Sequence, residues 1–456
     1  MINSNLIIIG GGPGGMDTAL EAARRGLSVT LFEAKRIGGT CLNEGCIPTK
    51  CLVRNAEALA QFKESDKFGI DNFTFEFDFN KVMERKNEVV ETLRAGATQS
   101  LESAKVNIIN ERASFKDAKT VVTESGEEYT ADNIIIATGS VSKSLPVPGA
   151  DLECVMDSTD ILSIDHVPES LTIIGGGVIG MEFASIFNSL GSRVTVIEFM
   201  KQILPPFDTD IAKRLKQSLS KQGIEIITSA AVTGISQNED YEIVTTYDCK
   251  GKEGSVTSSD LLMAVGRRPN TSSLNLQAAG IATDERSVAI VVDRATMATS
   301  VPDVYAIGDA NGGIMLAHTA TFEGLRALNT IMGKKDSIDL DIVPSAVFTT
   351  PECGMVGLTE QQCKASGIEF TTGTSFYRAN GKALAMAESE GLCKLIFSKE
   401  DGRLLGAHIM GAQAADLAQQ CADFMACGAT RDKICDTVFS HPTISELILS
   451  AARNMK

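Results

Sequence analysis

The sequence predicts an α/β fold class: two Rossmann-like units, each a parallel strand pair with a helix between. Three observations carry this reading. Residues Leu6–Glu33 and Leu171–Glu198 align without a gap at an offset of 165. Each copy puts a Gly-x-Gly-x-x-Gly turn between a β-branched run and a small-residue helix. Each copy closes on an acid at the end of its second strand, Glu33 and Glu198.

The first copy reads Ile7-Ile-Ile-Gly-Gly-Gly-Pro-Gly-Gly-Met-Asp and the second Thr172-Ile-Ile-Gly-Gly-Gly-Val-Ile-Gly-Met-Glu. In such a turn the first glycine (Gly10, Gly175) makes the bend and the second (Gly12, Gly177) lets the backbone approach a pyrophosphate. The third (Gly15, Gly180) lets helix and strand pack closely. The helix N-terminus then offers free N–H groups and partial positive charge to phosphates. The terminal glutamate accepts both ribose hydroxyls of an adenosine. At Glu198, with no arginine following, it repels a 2′-phosphate and favours NAD over NADP. A single such turn is weak evidence. Two, each following a strand and ending at an acid, imply two dinucleotides.

Directly after the first copy comes Gly38-Gly-Thr-Cys-Leu-Asn-Glu-Gly-Cys-Ile-Pro-Thr-Lys50. Five residues along an ideal helix rise about 7.5 Å and rotate by about 140°, which sets the two Cα atoms roughly 8–9 Å apart. That exceeds disulfide reach. A bond between Cys41 and Cys46 therefore requires a distorted helix, with Gly45 supplying the slack. Spacing alone leaves two free thiols possible; the flanking Gly-Gly-Thr and Ile-Pro-Thr-Lys argue for a redox pair. Nicotinamide does not conveniently join hydride to a disulfide, whereas a flavin does. The copy beside the cysteines is thus expected to hold FAD, and the second NAD.

Two further features stand near the far end. Gly308-Asp309 closes a strand-like run; on residues alone a strand-terminal turn is the simpler reading. His441 and Glu446, in His-Pro-Thr-Ile-Ser-Glu, suit a base of near-neutral pKa with a carboxylate behind it.

Composition sets the limits. The 456 residues, 43% hydrophobic and 22% charged, suggest about three domains. A net charge of −16 argues against a nucleic-acid partner. No apolar run approaches the ~18 residues of a membrane span. The first strand-like run starts almost at Met1, leaving no room for a targeting peptide, so the expectation is a mature cytoplasmic protein. Eleven irregularly spaced cysteines do not form a secreted disulfide framework, and no zinc spacing is present.

Taken with Ala137-Thr-Gly139, Gly266-Arg-Arg-Pro-Asn270 and Met315-Leu-Ala-His318, these motifs make the chain resemble the FAD-dependent pyridine-nucleotide–disulfide oxidoreductases. Phe376-Tyr-Arg-Ala-Asn-Gly-Lys-Ala and Met315–His318 resemble the members that oxidise dihydrolipoamide. The resemblance runs from about residue 5 to about residue 450. It implies an FAD domain (1–145), an NAD domain (146–270), a central segment returning to the flavin (271–341) and a C-terminal α+β dimerisation domain (342–456). It places Glu33 on the FAD ribose, Asp309 on the ribityl chain, and Lys50, paired with Glu182, near flavin N5. Gly39, Thr40, Ala113, Thr138, Gly139, Met315, Leu316, Ala317 and His318 would line that cofactor; Glu198, Ala231 and Gly266 would frame NAD.

By the same resemblance Cys41 is the interchange thiol and Cys46 the flavin-side charge-transfer thiol. His441 and Glu446 come from the other subunit of a homodimer. The partner is a lipoylated carrier of a 2-oxo-acid dehydrogenase or glycine-cleavage complex. One position departs from the pattern. Phe439 stands where dihydrolipoamide-oxidising members carry a second histidine, an expected change in the substrate channel wall. The alternative is a glutathione-type reductase, which would prefer arginines in the Glu198–Lys201 region.

Overall fold

Four apolar residues in a row, Leu6–Ile9, need cover on both faces, and the centre of a parallel sheet provides it. A computed structural model describes residues 2–71 and 74–455, and the chain falls into two compact units. The first comprises the chain up to Cys51, Asn80–Lys143 and Gly266–Leu340. The second comprises Leu52–Phe79, Ser144–Val265 and the chain from Asp341.

In the first unit, strand Ile2–Ile9 runs parallel to Val29–Phe32 on one side and Glu128–Ile136 on the other. Asn107–Ile109 extends the sheet beyond Val29–Phe32, and Val304–Ala306 pairs in parallel with Glu128–Ile136. Thr120–Thr123 and Ala113–Phe115 add an antiparallel edge. Leu6, Ile7 and Ile8 are wholly buried, each contributing about 1.5–3 kcal/mol relative to exposure. Helix Pro13–Arg24 starts with proline at its first position, where the missing N–H costs nothing. It lies against helix Ala317–Ile331 across small residues: a Cβ on Gly14 would sit 2.9 Å from Ala320 Cβ, and one on Gly324 only 1.9 Å from Thr18 Oγ1.

The second unit repeats the plan. Ser170–Ile174 lies between Arg193–Glu198 and Asp260–Met263, with Glu225–Thr228 and Val155–Met156 outside, all parallel. Helix Val178–Leu190 ends at Gly191, whose φ of 113° is left-handed. A three-stranded antiparallel sheet follows, Ala230–Gln237, Ile243–Cys249 and Lys252–Ser258.

The C-terminal part of this unit is a five-stranded antiparallel sheet, ordered Ser345–Val347, Cys353–Gly357, Leu404–Met410, Leu392–Ser398, Phe370–Phe376. Helices Ala414–Ala426 and Glu446–Arg453 bury Leu417, Cys421, Leu447 and Ile448 in its core. Buried Lys394 meets Asp208 (2.9 Å), Asp210 (2.7 Å) and Glu360 (2.8 Å), so a cation in the sheet is matched by carboxylates on helix Thr209–Lys221, its N-cap and helix Glu360–Ala365. The parallel sheets are the α/β units that the residue patterns predict, and the antiparallel C-terminal layer is the α+β domain that the resemblance implies. Among the described residues, no helix is long and apolar enough to cross a membrane.

Candidate functional site

The two glycine turns fold alike, hydrogen bond for hydrogen bond. Gly10 N donates to Phe32 O (2.8 Å) and Gly175 N to Ile197 O (2.9 Å). Ala137 N donates to Ile9 O and Ala264 N to Ile174 O, both at 2.8 Å. Gly10 and Gly175 have φ of 114° and 112°, and a Cβ on either would strike the carbonyl of Ala137 or Ala264 at 2.2 or 2.4 Å. A Cβ on Gly15 or Gly180 would lie 1.9 or 2.0 Å from the oxygen of Gly10 or Gly175. Glycine is required by backbone angle and contact at Gly10 and Gly175, and by contact alone at Gly15 and Gly180.

The carboxylates are held alike too. Glu33 accepts from Gly11 N (2.8 Å) and Lys35 N (2.7 Å); Glu198 accepts from Gly176 N and Met200 N, both at 2.5 Å. Both acids are buried, yet each oxygen keeps a lone pair for a ribose hydroxyl.

Around the first turn the chain doubles back. Gly38 N donates to Gly11 O (2.8 Å), and a Cβ on Gly39 would meet Gly12 Cα at 2.6 Å. The short helix Gly39–Glu44 begins here, pinned by Asn43, whose amide donates to Ile37 O (3.0 Å) and Gly39 O (2.9 Å). It breaks at Gly45 (φ −153°, ψ −107°), and a new helix, Cys46–Lys63, starts at once. The break brings the Cα atoms of Cys41 and Cys46 to 4.6 Å, and their sulfurs are bonded. The spacing argument anticipates this distortion at this glycine. Cys41 is half-buried, Cys46 exposed, and Lys50 lies on the first turns of the second helix.

Asp309 sits in the turn Gly308–Asn311 after strand Val304–Ala306. Ser140 Oγ donates to it, and Arg267 in turn donates to Ser140 Oγ (2.7 Å) and Ser140 O (2.8 Å). Buried Glu323 accepts from Gly308 N (2.6 Å) and Asn311 Nδ2 (2.9 Å), bracing the same turn; burial lifts its carboxyl above the usual range. Two buried hydroxyls, Thr138 Oγ1 and Thr319 Oγ1, find no hydrogen-bond partner among the described residues. Met315, Leu316 and Ala317 are half-buried and His318 exposed at the start of helix Ala317–Ile331. Ala113 is buried in its strand, and Thr40 is exposed.

In the second unit His441 Nδ1 meets Glu446 Oε1 at 3.0 Å. Thr443 N donates to the other carboxylate oxygen (2.9 Å), and Asn380 Nδ2 donates to Thr443 O (3.0 Å). The Thr443 amide first, and His441 second, hold the Glu446 carboxyl below its usual range. His441 is 79% exposed and nearby Val438 95% exposed. Phe439 leans inward, its ring centroid 6.4 Å from that of Phe424, half-buried against the C-terminal core.

The sequence-predicted residues divide cleanly between the units. Gly10, Gly12, Gly15, Glu33, Gly39, Thr40, Cys41, Cys46, Lys50, Ala113, Thr138, Gly139, Asp309 and Met315–His318 lie in the first; Gly175, Gly177, Gly180, Glu182, Glu198, Ala231, His441 and Glu446 lie in the second. Gly266 belongs with the first, its carbonyl accepting from Lys143 N (3.0 Å). Glu182 is buried in its helix and accepts from Phe348 N (3.0 Å). Sequence reasoning missed Asn43, Ser140, Glu323 and Asn380. Asn43 and Asn380 lie inside quoted motifs, where an amide able to satisfy two backbone groups was the available signal; Glu323 carries no motif.

The chain matches the model described as pyridine nucleotide-disulphide oxidoreductase over residues 4–324, and that family's dimerisation domain over 343–452. It is 38% identical to the dihydrolipoyl dehydrogenase of Geobacillus stearothermophilus over 455 residues, covering 99% of this chain and 96% of that one. The Chlamydia muridarum dihydrolipoyl dehydrogenase is 38% identical over 451 residues, covering 98% and 95%. Among solved structures, the HOCl-induced flavoprotein disulfide reductase RclA from Escherichia coli superposes with a TM-score of 0.88 at 32% identity, covering 98% of this chain and 99% of that one.

Proposed function

This chain belongs to the pyridine nucleotide-disulphide oxidoreductase family, and we propose that it oxidises protein-bound dihydrolipoamide to lipoamide in the cytoplasm as a homodimer. It is an FAD-containing, NAD-dependent disulfide oxidoreductase. The observation that carries the reading is the Cys41–Cys46 disulfide, bonded across a helix break that begins at the first glycine turn.

The first unit suits FAD on its own geometry. Its turn presents a bare backbone at Gly10–Gly15 roofed by Gly39, Glu33 offers two oxygens, and Thr138 and Thr319 have hydroxyls awaiting partners. Glu33 would hold the adenosine ribose and Asp309 the ribityl hydroxyls, with Gly12, Thr40, Ala113, Gly139 and Met315–His318 lining the cofactor. Lys50, paired with Glu182, would sit near flavin N5. When bound, FAD supplies the two-electron link between the thiols and nicotinamide. Glu198, Ala231 and Gly266 would frame NAD.

The residues then divide the thiol chemistry. His441 of the partner subunit takes a proton from dihydrolipoamide, while Glu446 holds the ring and stabilises the imidazolium. The substrate thiolate attacks Cys41 Sγ, the Cys41–Cys46 bond breaks, and Cys46 leaves as a thiolate. The second substrate thiol displaces Cys41, closing lipoamide and leaving two reduced cysteines that carry the electron pair. The exposure of His441 and Val438 supports a second subunit over this loop. The nine other cysteines, all free among the described residues, accord with a reducing compartment. The domain reading 1–145, 146–270, 271–341 and 342–456 is part of the same proposal.

A second reading is favoured by Phe439, which removes a histidine from the loop and packs inward: a flavoprotein disulfide reductase acting on another thiol or disulfide. Steady-state assays of dihydrolipoamide against glutathione disulfide, each with NAD(H) and NADP(H), separate the two. Turnover of dihydrolipoamide with NAD and loss of that turnover in Cys41→Ser, with flavin retained, is the expected result. Turnover of glutathione disulfide alone, or a fully active Cys41→Ser, overturns the lead reading.

A further inference from the structure

Helix Thr209–Lys221 buries Ile211, Ala212, Leu215, Ser218 and Leu219 on one side. Its other side is basic, in a chain whose net charge is −16. Lys213, Lys216, Gln217, Ser220 and Lys221 fall at i, i+3, i+4, i+7 and i+8, so they form one continuous stripe. Together they line an open depression of about 680 Å³, within the ~300–1,000 Å³ of small-ligand sites.

A fourth lysine comes in from the antiparallel sheet. Cys249 Sγ donates to Thr228 O (3.9 Å), which sets the end of strand Ile243–Cys249 beside that of Glu225–Thr228. Lys250 and Gly251, with φ of 57° and 82°, then make the tight turn into Lys252–Ser258. Half-buried Lys216 donates from Nζ to Thr228 Oγ1 (3.0 Å), so Lys216 and Lys250 converge on the same strand end. Burial first, and the charge of Lys250 second, hold the Lys216 ammonium below the usual lysine range.

Other lysines of this unit meet acids: Lys394 meets three, and Lys364 meets Glu360 (3.0 Å). Among the described residues, none of Lys213, Lys216, Lys221 and Lys250 makes an ion pair. Two acids on the adjoining strands accept elsewhere, Asp248 from Gly251 N (2.9 Å) and Glu225 from Thr195 Oγ1 (3.4 Å). Like charges gathered in this way repel, and an anion placed among them relieves the repulsion. The lining holds no aromatic ring on which a base could stack and no guanidinium fork for a carboxylate. Lysine serves phosphate as a point charge.

We propose that this depression binds a chain of two or three phosphates, held by Lys213, Lys216, Lys221 and Lys250, with Gln217 and Ser220 as neutral partners. It uses none of the residues assigned to FAD, to NAD or to the thiol chemistry, so it stands apart from those readings.

The test titrates tripolyphosphate into the FAD-loaded dimer at low ionic strength, with ADP-ribose saturating so that the nucleotide turn is filled. Tripolyphosphate binds, and its affinity falls steeply as salt rises. Lys216→Gln and Lys250→Gln each weaken it about fivefold or more. Lys250 lies on an exposed turn, so its replacement leaves the core intact. Lys335→Gln, at an exposed position of the other unit, leaves the affinity unchanged. ATP binds as tripolyphosphate does. Absence of tripolyphosphate binding, or binding that the Lys216 and Lys250 variants leave untouched, overturns the proposal. Binding of ATP alone, or of hexaglutamate in preference to tripolyphosphate, overturns the phosphate assignment. Dihydrolipoamide turnover, measured on the same preparation, reports separately on the function proposed above.

Discussion

Both nucleotide turns are crossed by returning chain, Gly38 N donating to Gly11 O and Leu204 N to Gly176 O, each at 2.8 Å, and the first crossing is the tighter. A Cβ on Gly39 would collide with Gly12, whereas a Cβ on Gly177 would meet nothing within 4 Å. In the first copy the chain after Glu33 returns over the turn and then enters the disulfide helix. In the second it leaves Phe199 and Met200 exposed, returns to Gly176 through Leu204, and then enters helix Thr209–Lys221. The glycine motif sets the same backbone geometry in both copies, and the two diverge in the loop after the acid, which leads to the disulfide helix in one and to an exposed Phe199 in the other.

The largest test of this contrast replaces the third glycine in each copy. A methyl at position 15 or 180 meets a carbonyl oxygen at about the same distance, 1.9 or 2.0 Å, so the steric insult is matched. Gly15→Ala should purify largely without flavin, read from absorbance per chain. Gly180→Ala should stay yellow but be reduced by NADH with an efficiency lower by about tenfold to a hundredfold, the equivalent of ~1–3 kcal/mol of overpacking. Loss of flavin in Gly180→Ala, or its full retention in Gly15→Ala, breaks the assignment of cofactors to copies.

A smaller effect comes from the acids. Glu198→Ala removes two charge-assisted acceptors for the ribose and the repulsion of a 2′-phosphate. The ratio of kcat/KM for NAD over NADP should drop by about tenfold or more. Glu33→Ala should leave that ratio alone and speed flavin release instead, measured by flavin retained per chain after gel filtration. An unchanged nicotinamide ratio in Glu198→Ala contradicts the ribose role.

The smallest effect concerns Glu323, which braces Gly308 and Asn311 in the first unit. Burial lifts its carboxyl, so the native state binds its proton more tightly than the unfolded chain does. Its contribution is full below the ordinary carboxylate pKa and is lost as pH rises through the lifted value. From acid toward neutral pH, Tm of the unsubstituted protein should therefore fall relative to Glu323→Gln by roughly 2–4 °C. A gap that stays constant with pH sinks this account.

Much of this was legible in the chain. The repeat exposes both turns because the first and third glycine of each answer a backbone demand that no side chain can meet. The Cys41–Cys46 spacing exposes its own helix break, because helix geometry forbids the bond otherwise. The braces were not legible. Asn43, Ser140, Glu323 and Asn380 act through contacts with residues distant in sequence or through ordinary polar side chains that also serve as surface. The contact of half-buried Phe439 with Phe424 was not legible either, because it joins a loop to a helix of the C-terminal core.

Local rules therefore settled what lies within one strand–turn–helix segment: the glycine turns, the paired acids, the broken helix between the cysteines. Tertiary structure alone decided which carboxylate braces Asp309, which aromatic is buried and which is left bare, because burial depends on what the rest of the chain places beside a residue. Phe199 and Phe439 are the same amino acid; only the packing around them leaves one exposed and sets the other against a core.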